Sequence, residues 1–251
     1  SLKNVGRNVK AAAYLAASGK RAKQIIEGFK PDIAIGTGGY AAGPVIRKAA
    51  KMGIPTAIHE QNAYPGVTNR LLSKEADYVM LTVIEALDYM EKDSFEYSVT
   101  GLPVRSGITA VSRSEARRKL GLDDGFTILS FGGSLGAEKI NEVAFELMQT
   151  LNGHDGMSMV FGTGKWYYKD IIKKAEERGI DIKKNIHIKD YIEDMENYLA
   201  ACDLTISRAG ALSVAEITVC GKAAVLIPSP NVTGNHQYYN AKAVADRGGA
   251  V

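Results

Sequence analysis

Residues 127–151 read TILSFGGSLGAEKINEVAFELMQTL and contain the pattern that decides the fold. The apolar run at 127–131 is short, as expected for a strand that is buried on both faces of a parallel sheet. Glycines then allow a tight turn, and apolar residues spaced at helical intervals follow from residue 137 onward. A strand, a glycine turn and a helix in this order predict one unit of an α/β fold.

The same unit recurs on both sides of this stretch. Working outward, short apolar runs alternate with segments of helical periodicity along most of the chain. This alternation favours parallel sheets that are covered by helices on both faces. The predicted strands are residues 33–35, 56–58, 78–81, 97–99, 127–131, 158–161, 186–188, 204–206 and 223–227, and helical periodicity is clear at 45–51, 137–151, 168–178 and 211–220.

A break in this pattern divides the chain into two halves. GLPVR at residues 101–105 follows the last strand of the first half, and Ser112 with Glu115 matches a helix capping box before the next strand. Each half has its own glycine loop at the end of a strand. We therefore predict two Rossmann-like domains, residues 1–106 and 107–251. The chain begins within a helical pattern and stops where another strand is starting, so we also expect N- and C-terminal segments to be missing.

The composition is that of an ordinary globular protein. Of 251 residues, 45% are hydrophobic and 24% are charged, which excludes disordered and fibrous classes. The net charge of +3 is too small to indicate nucleic acid as a partner. Cys202 and Cys220 have neither metal-ligand spacing nor the density of a disulfide scaffold, so we predict buried reduced thiols in a reducing cytoplasm. We expect no metal and no cofactor, and no apolar run approaches the roughly 20 residues of a membrane span.

The first 30 residues are locally basic, with seven lysines and arginines against the single acid Glu27. Val9, Ala13 and Tyr14 would lie near one face of a helix, with Lys10 beside them. One interpretation is a basic amphipathic helix that rests on an anionic membrane surface. The other is a solvated helix face, because an alanine-rich apolar side offers little insertion energy.

Two glycine loops are candidates for binding phosphate. The second is GGSLGA at residues 132–137, and the first is GTGGY at residues 36–40, with Gly36, Thr37, Gly38 and Gly39 as its candidate ligand-binding residues. Each loop leads from a strand to a helix N-terminus, where backbone N–H groups and the helix dipole favour an anion. A tight turn without any ligand is the alternative for each loop.

The first loop also supports a different function. Gly36, Gly38 and Ala41 fit the G-x-G-x-x-A form of the dinucleotide fingerprint, and Glu60 ends the next strand where a ribose-binding acid is expected. An NAD-dependent enzyme is therefore an alternative. The adjacent pair Gly38-Gly39 is atypical of that fingerprint, and no residues for nicotinamide chemistry can be identified.

Further polar stretches follow predicted strands, at the edge where open α/β sheets bind ligands. They are HEQN at 59–62, PGVTNR at 65–70, GLPVR at 101–105, SRAGALSVAE at 207–216 and HQYYNA at 236–241. With the two glycine loops, and in this order, these motifs resemble the MurG family of glycosyltransferases. The resemblance extends from Gly36 to Ala241 and so covers nearly the whole chain.

This resemblance implies a GT-B fold, in which two Rossmann-like domains with parallel sheets face a central cleft. It implies inverting, metal-independent transfer of N-acetylglucosamine from UDP-N-acetylglucosamine to lipid-linked N-acetylmuramoyl-pentapeptide. The acceptor oxygen would be the C4 hydroxyl, and the lipid carrier would be undecaprenyl diphosphate. The enzyme would act in peptidoglycan biosynthesis as a peripheral protein on the cytoplasmic face of the cell membrane.

The resemblance also assigns roles to individual residues. Glu216 would accept hydrogen bonds from the ribose hydroxyls, and Ile192 would offer backbone groups to the uracil. Ser134, the loop amides and Arg105 would hold the donor diphosphate, while residues 36–39 would hold that of the acceptor. Residues implied to line the donor pocket or to contact the sugar are Asn62 from the N-terminal domain and Ala211, Leu212, Ser213, Val214, Ala215, His236 and Gln237 from the C-terminal one.

The chain departs from the family pattern in three places. Leu135 and Leu102 replace a Gln and an Asn, which puts polar contacts near the donor in doubt. The family's first glycine loop, with the His proposed as base, matches nothing from Ser1 onward, so the catalytic base is unknown. A catalytically silent nucleotide-sugar or membrane-binding module, or a related glycolipid glycosyltransferase, is therefore an alternative function.

Several polar residues have both a structural and a functional interpretation. His59 could act as a base or position its loop. Arg208 could bind a ligand or form an ion pair, and His236 could contact the sugar or cap its helix. Glu216 could bind ribose or belong to a structural ion pair, because a carboxylate among apolar residues needs a partner. His154 and His187 have no predicted role.

Overall fold

The computed structural model describes residues 5–182 and 184–251. It divides into two compact units, one ending at Leu102 and the other beginning at Pro103. The boundary predicted after residue 106 lies slightly beyond this division. The difference has a physical reason, because Arg105 forms ion pairs with Glu196 and Glu216 of the second unit.

The first unit contains a four-stranded parallel sheet in the order β1-β2-β3-β4. Ile46, Ile58 and Leu81 are among the side chains that form its buried core. Short 3-10 turns lie at Ile84–Tyr89 and Lys92–Ser94. The main elements are α1 (Val5–Phe29), β1 (Ala34–Gly36), α2 (Gly39–Lys51), β2 (Thr56–Glu60), α3 (Val67–Leu72), β3 (Tyr78–Leu81) and β4 (Glu96–Val99).

The second unit contains a five-stranded parallel sheet in the order β7-β6-β5-β8-β9. The order of strands reverses between β5 and β8, which makes this the switch point where open α/β sheets bind ligands. The elements are α4 (Arg113–Leu120), β5 (Phe126–Phe131), α5 (Glu138–Leu151), β6 (Met157–Gly162), α6 (Tyr168–Glu177), β7 (Ile186–Lys189), α7 (Met195–Ala201), β8 (Leu204–Ser207), α8 (Ala211–Val219), β9 (Ala223–Leu226) and α9 (His236–Ala245), with a 3-10 turn at Thr233–Asn235.

The second sheet is buried on both faces. Successive residues of β5 alternate between two cores: Leu129 packs with the residues of α7 and α8, and Ile128 packs with those of α5 and α6. Fully burying a side chain of this size is worth about 1.5–3 kcal/mol. Two-sided burial explains why β5 is mostly apolar on both faces, and why its two polar residues, Thr127 and Ser130, are small and themselves buried.

The predicted α/β fold class is confirmed, and every predicted strand is present within a residue or two of its expected bounds. The predicted capping box is also confirmed, since Ser112 Oγ accepts a hydrogen bond from the Glu115 amide at 3.3 Å. The helix predicted from residue 45 was wrong at its start, because α2 begins at Gly39 and includes Pro44.

The cysteine prediction is confirmed in part. Both thiols are free, and Cys202 is buried, but Cys220 is only half-buried, so the prediction of a buried thiol was wrong there. Cys220 follows the last residue of α8 and packs against the margin of the core rather than within it. Within the described residues, no helix combines the length and apolar character needed to cross a membrane.

Candidate functional site

The candidate donor site lies at the carboxyl edge of the second sheet, around the switch point. The end of β5 leads into the loop 132–137, and the end of β8 leads into the segment 208–210. These strands are hydrogen-bonded neighbours, with Phe131 paired to Ser207. The parallel register therefore brings both segments, which are far apart in sequence, to one edge.

The loop 132–137 depends on glycine because it packs backbone against backbone. Gly136 has a φ of +84°, and a Cβ added there would clash with the carbonyl oxygen of Thr163. A Cβ on Gly164 would likewise clash with the Gly136 amide nitrogen. This close approach holds the exposed Ser134 and Leu135 in front of the N-terminus of α5. Leu135 brings no polar group to the position where the family pattern has Gln.

Glu216 and Arg105 form the main ion pair of this site. Arg105 Nε donates to Glu216 Oε1 at 3.1 Å, and Arg105 Nη1 lies 3.6 Å from Glu196 Oε2. The Glu216 side chain is 8% exposed, whereas that of Arg105 is 45% exposed. A buried carboxylate is thus compensated by a guanidinium that solvent and ligands can reach.

The segment after β8 is fixed by hydrogen bonds to the segment after β9 and to α9. Arg208 Nη1 donates to the carbonyls of Ile227 and Pro228 at 3.2 and 3.0 Å, and burial lowers the pKa of the Arg208 guanidinium. Asn240 Nδ2 donates to the Ala209 carbonyl at 3.1 Å. These contacts support a structural role for Arg208.

Helix α8 begins immediately after this fixed segment and presents its N-terminus at the same edge. Gly210 is its N-cap, and no side chain occupies the capping position. The predicted pocket residues form the first turns of this helix. Leu212 is exposed, and Ala211, Ser213, Val214 and Ala215 are half-buried.

The start of α9 is fastened to the preceding loop through two predicted site residues. Gln237 Oε1 accepts from the Ser229 amide at 2.8 Å. His236 Nδ1 lies 2.9 Å from the Thr233 carbonyl, which can only accept, so Nδ1 carries the proton. Asn235 adopts a φ of 54° before the helix. His236 therefore ties the helix start to the preceding turn, but it does not cap the helix, whose N-cap is Asn235.

The segment after β7 includes the predicted uracil-binding residue Ile192. Its side chain is buried against Gly162, where an added Cβ would lie 2.9 Å from Ile192 Cδ1. This contact fixes the backbone that would meet the base. Beside it, Lys165 Nζ lies 5.7 Å from the centre of the half-exposed Tyr191 ring. Neither Lys165 nor Glu196 is predicted from the sequence: Glu196 lies four positions beyond the predicted Ile192, and no recognised motif adjoins Lys165.

The first unit has its own candidate site at the carboxyl edge of its sheet. Gly38 and Gly39 have φ values of +87° and +77° and join β1 to α2. Gln61 Nε2 donates to the Thr37 carbonyl at 3.0 Å, so the loop of residues 36–39 is tied to the segment after β2. An added Cβ on Gly38 would lie 3.3 Å from Asn69 Nδ2. The loop is thereby held in a turned conformation at the start of α2.

Glu60 organises the segment that follows β2. One carboxylate oxygen accepts from the Asn62 amide at 2.9 Å and from its side-chain nitrogen at 3.2 Å. The other accepts from the Gly66 amide at 3.0 Å and from Asn69 Nδ2 at 2.8 Å. Glu60 is buried, and both of its carboxylate oxygens already accept hydrogen bonds from the protein. It is therefore not placed to bind a cofactor ribose. The NAD interpretation of the fingerprint therefore loses its acidic residue.

His59 is buried and has contacts at both ring nitrogens. Nε2 lies 2.9 Å from the Gly101 carbonyl, and Nδ1 lies 3.3 Å from Gln61 Nε2. The tautomer that satisfies both has the proton on Nε2. His59 thus connects the ends of β2 and β4, which supports the positioning interpretation over catalysis.

The remaining histidines lie apart from these residues. His154 Nδ1 lies 3.0 Å from the Asp155 carbonyl on the surface. Burial and the nearby Lys189 lower the pKa of His187 on β7. Among the described residues, no group of three or more His, Cys, Asp or Glu side chains is arranged to hold a metal ion.

Comparisons with known proteins match both halves of the chain to one family. Residues 2–81 match the glycosyltransferase family 28 N-terminal domain, and residues 127–251 match the glycosyltransferase family 28 C-terminal domain. A protein of Acetivibrio thermocellus is 47% identical over 232 residues, which are 92% of this chain and 62% of that relative. It is named UDP-N-acetylglucosamine–N-acetylmuramyl-(pentapeptide) pyrophosphoryl-undecaprenol N-acetylglucosamine transferase.

Solved structures agree with this assignment. MurG of Acinetobacter baumannii is 32% identical with a TM-score of 0.73, over 96% of this chain and 65% of that one. This match confirms the predicted GT-B fold. A putative UDP-N-acetylglucosamine 2-epimerase of Listeria monocytogenes is 14% identical with a TM-score of 0.62, over 92% of this chain and 70% of that one, and shares the fold alone.

This chain spans less than two thirds of the length of the curated relatives named here. Within that span, both domain matches, the sequence identity and the similarity to a solved MurG agree with one another. The chain belongs to glycosyltransferase family 28 and, within it, to the MurG family.

Proposed function

We propose that this chain is the larger part of an inverting glycosyltransferase that moves N-acetylglucosamine from UDP-N-acetylglucosamine to lipid-linked N-acetylmuramoyl-pentapeptide. The observation that carries the proposal is the Arg105–Glu216 pair at the carboxyl edge of the second sheet. It presents a buried acceptor of hydrogen bonds and an accessible cation, and α5 and α8 both begin at this edge of the sheet. This is the chemistry that a ribose followed by a diphosphate requires.

The proposed donor roles are those that the family resemblance implies, and the positions of these residues support them. Glu216 accepts from the ribose hydroxyls, and backbone groups of Ile192 meet the uracil. The diphosphate binds Arg105, Ser134 and the first amides of α5. The pocket and sugar contacts come from residues 211–215, His236 and Gln237, and from Asn62.

The reaction is a direct displacement at the anomeric carbon. The C4 hydroxyl of the muramoyl sugar attacks as its proton passes to a base, and the bond to UDP breaks with inversion. Negative charge develops on the departing diphosphate, where Arg105 and the helix N-termini stabilise it. We assign no base within this chain.

On the acceptor side, residues 36–39 bind the diphosphate of the undecaprenyl carrier. The protein works as a peripheral enzyme on an anionic membrane surface at the cytoplasmic face. The basic stretch proposed to contact that surface falls largely outside the residues whose side chains the structure describes. Lys20 and Lys23 are exposed in the described part of α1, with Lys23 Nζ 3.4 Å from Glu27 Oε1.

Titration calorimetry tests the donor half of the proposal. The 251-residue chain should bind UDP-N-acetylglucosamine more tightly than UDP-N-acetylgalactosamine or UDP-glucose, and NAD should not bind. Glu216→Gln should weaken donor binding about ten- to a hundredfold, since a hydrogen bond to a charged group is worth about 1.5–3 kcal/mol. Glu176→Gln is the control, because it removes one exposed carboxylate at the end of α6, by the opposite edge of the sheet. Binding of NAD alone would refute the proposal.

A transfer assay with the lipid-linked acceptor in anionic vesicles separates the enzyme from the alternatives. Incorporation of N-acetylglucosamine into the muramoyl lipid supports the proposed reaction. Donor binding without transfer favours the silent module for this chain. Transfer to a different glycolipid identifies a related glycosyltransferase.

A further inference from the structure

Arg105 lies between two carboxylates rather than one. Its Nε contacts Glu216 on α8 at 3.1 Å, and its Nη1 lies 3.6 Å from Glu196 Oε2 in the first turn of α7. The Glu196 side chain is 30% exposed, so it is reached by solvent more than Glu216 is. One guanidinium and two carboxylates leave this cluster with a net negative charge.

The two contacts of Arg105 differ in kind. The distance to Glu216 is that of a hydrogen bond, whereas 3.6 Å to Glu196 exceeds the usual range and leaves mainly Coulombic attraction. Arg105 would therefore keep its position on Glu216 if Glu196 lost its charge. What would change is the electrostatic potential that an incoming anion meets at the guanidinium.

Resting on the proposed function, we propose that Glu196 weakens the hold of Arg105 on the nucleotide diphosphate. When the ribose hydroxyls occupy Glu216, Glu196 is the carboxylate that still competes with the diphosphate for the guanidinium. It also repels the diphosphate directly. This competition sets how readily the product UDP leaves, because UDP carries the same diphosphate as the donor.

The size of the effect follows from the exposure of the cluster. A half-exposed pair at 3.6 Å is screened by water and salt. Removing the Glu196 charge should therefore tighten UDP binding by about 1.5- to fivefold at low salt. Uridine lacks the diphosphate, so its affinity should stay the same. The gain for UDP should shrink as salt is raised.

The test compares UDP, UDP-N-acetylglucosamine and uridine by titration calorimetry, and UDP release by stopped flow. The variants are Glu196→Gln, Glu196→Asp and the control Glu176→Gln. We expect Glu196→Gln to tighten UDP and donor binding selectively and to slow UDP release. Glu196→Asp keeps the charge and should behave like the parent chain, as should the control.

The outcomes distinguish a failure of the Glu196 proposal from a failure of the proposed glycosyltransferase function. A parent chain that binds no uridine nucleotide refutes the proposed function, and this inference with it. A parent chain that binds UDP while Glu196→Gln leaves the affinity unchanged or weaker overturns the role of Glu196 alone. Equal gains for uridine and UDP, or an Asp variant that matches the Gln variant, would also overturn it, because the charge would not then be the cause.

Discussion

Arg117 offers a quantitative test of what holds the second unit together. Its guanidinium donates to the carbonyls of Ala201, Asp123 and Gly125 at 3.0, 2.7 and 2.6 Å. Nη2 also pairs with Asp203 Oδ2 at 2.8 Å, and the Arg117 side chain is only 4% exposed. The residue thereby connects α4 to the segments that enter β5 and β8.

Replacing Arg117 with Met keeps most of the side-chain volume but removes every donor. Each of the four hydrogen bonds contributes about 0.5–1.5 kcal/mol, and the three carbonyls lose a partner. Removing one partner of a buried ion pair typically costs about 3–5 kcal/mol. Asp203 keeps the Thr127 amide at 2.8 Å as a donor, which limits the loss. We expect Arg117→Met to lower the free energy of unfolding by about 3–4 kcal/mol.

Arg113 provides a matched control because it pairs with the same carboxylate. Its Nη2 lies 2.6 Å from Asp203 Oδ1, but its side chain is 52% exposed. An exposed pair is worth about 0–1 kcal/mol, so Arg113→Met should cost less than about 1 kcal/mol. Urea unfolding followed by circular dichroism gives the total loss, and hydrogen exchange assigns it to β5 and β8 rather than to the first unit. Equal losses in the two variants would refute the argument from burial.

Three further predictions concern single residues. Glu60→Gln should destabilise the first unit by about 2–4 kcal/mol in urea unfolding, because the new side-chain NH₂ group would face N–H donors where a carboxylate oxygen now accepts from them. A loss below about 1 kcal/mol would contradict this. Hydrogen bonds from the Thr56 amide and hydroxyl lower the pKa of Asp77. The ionised Asp77 should therefore stabilise the fold above pH 3.8, and this contribution should be lost as the pH falls through the folded-state pKa. Asp77→Asn should lack this acid-dependent loss when unfolding is followed against pH. Burial raises the pKa of Cys202 to about 12, so iodoacetamide at pH 8 should label the half-buried Cys220 first, and equal labelling rates would count against this.

Strand positions could be predicted from sequence because two-sided burial leaves a continuous apolar run. Ile128 and Leu129 face opposite cores, so both positions are apolar, and the flanking Thr127 and Ser130 are small residues that are buried with them. Helix starts were harder to predict. The start of α2 was missed because Gly39 and Tyr40 lack helical periodicity and Pro44 is normally a boundary signal.

The candidate site was predictable where a motif follows a strand, and unpredictable where a contact joins distant residues. The glycine loops and Glu216 stand out in the sequence because of their type and spacing. Nothing in the sequence pairs Arg105 with Glu196, since that contact depends on the separate positions of α7 and the chain before α4. The Arg117 network was missed for the same reason, because its partners are carbonyls that any residue can supply.

Glu60 and Glu216 show how structure separates two buried carboxylates that look alike in sequence. Both lie near the carboxyl edge of a parallel sheet, among polar motifs. Glu60 accepts four hydrogen bonds from its own following segment, so a ligand could bind it only by unfolding that segment. Glu216 accepts from a half-exposed arginine that a diphosphate can attract away. The accessibility of the partner, rather than the burial of the acid, therefore marks Glu216 as the carboxylate able to exchange its partner for a ligand.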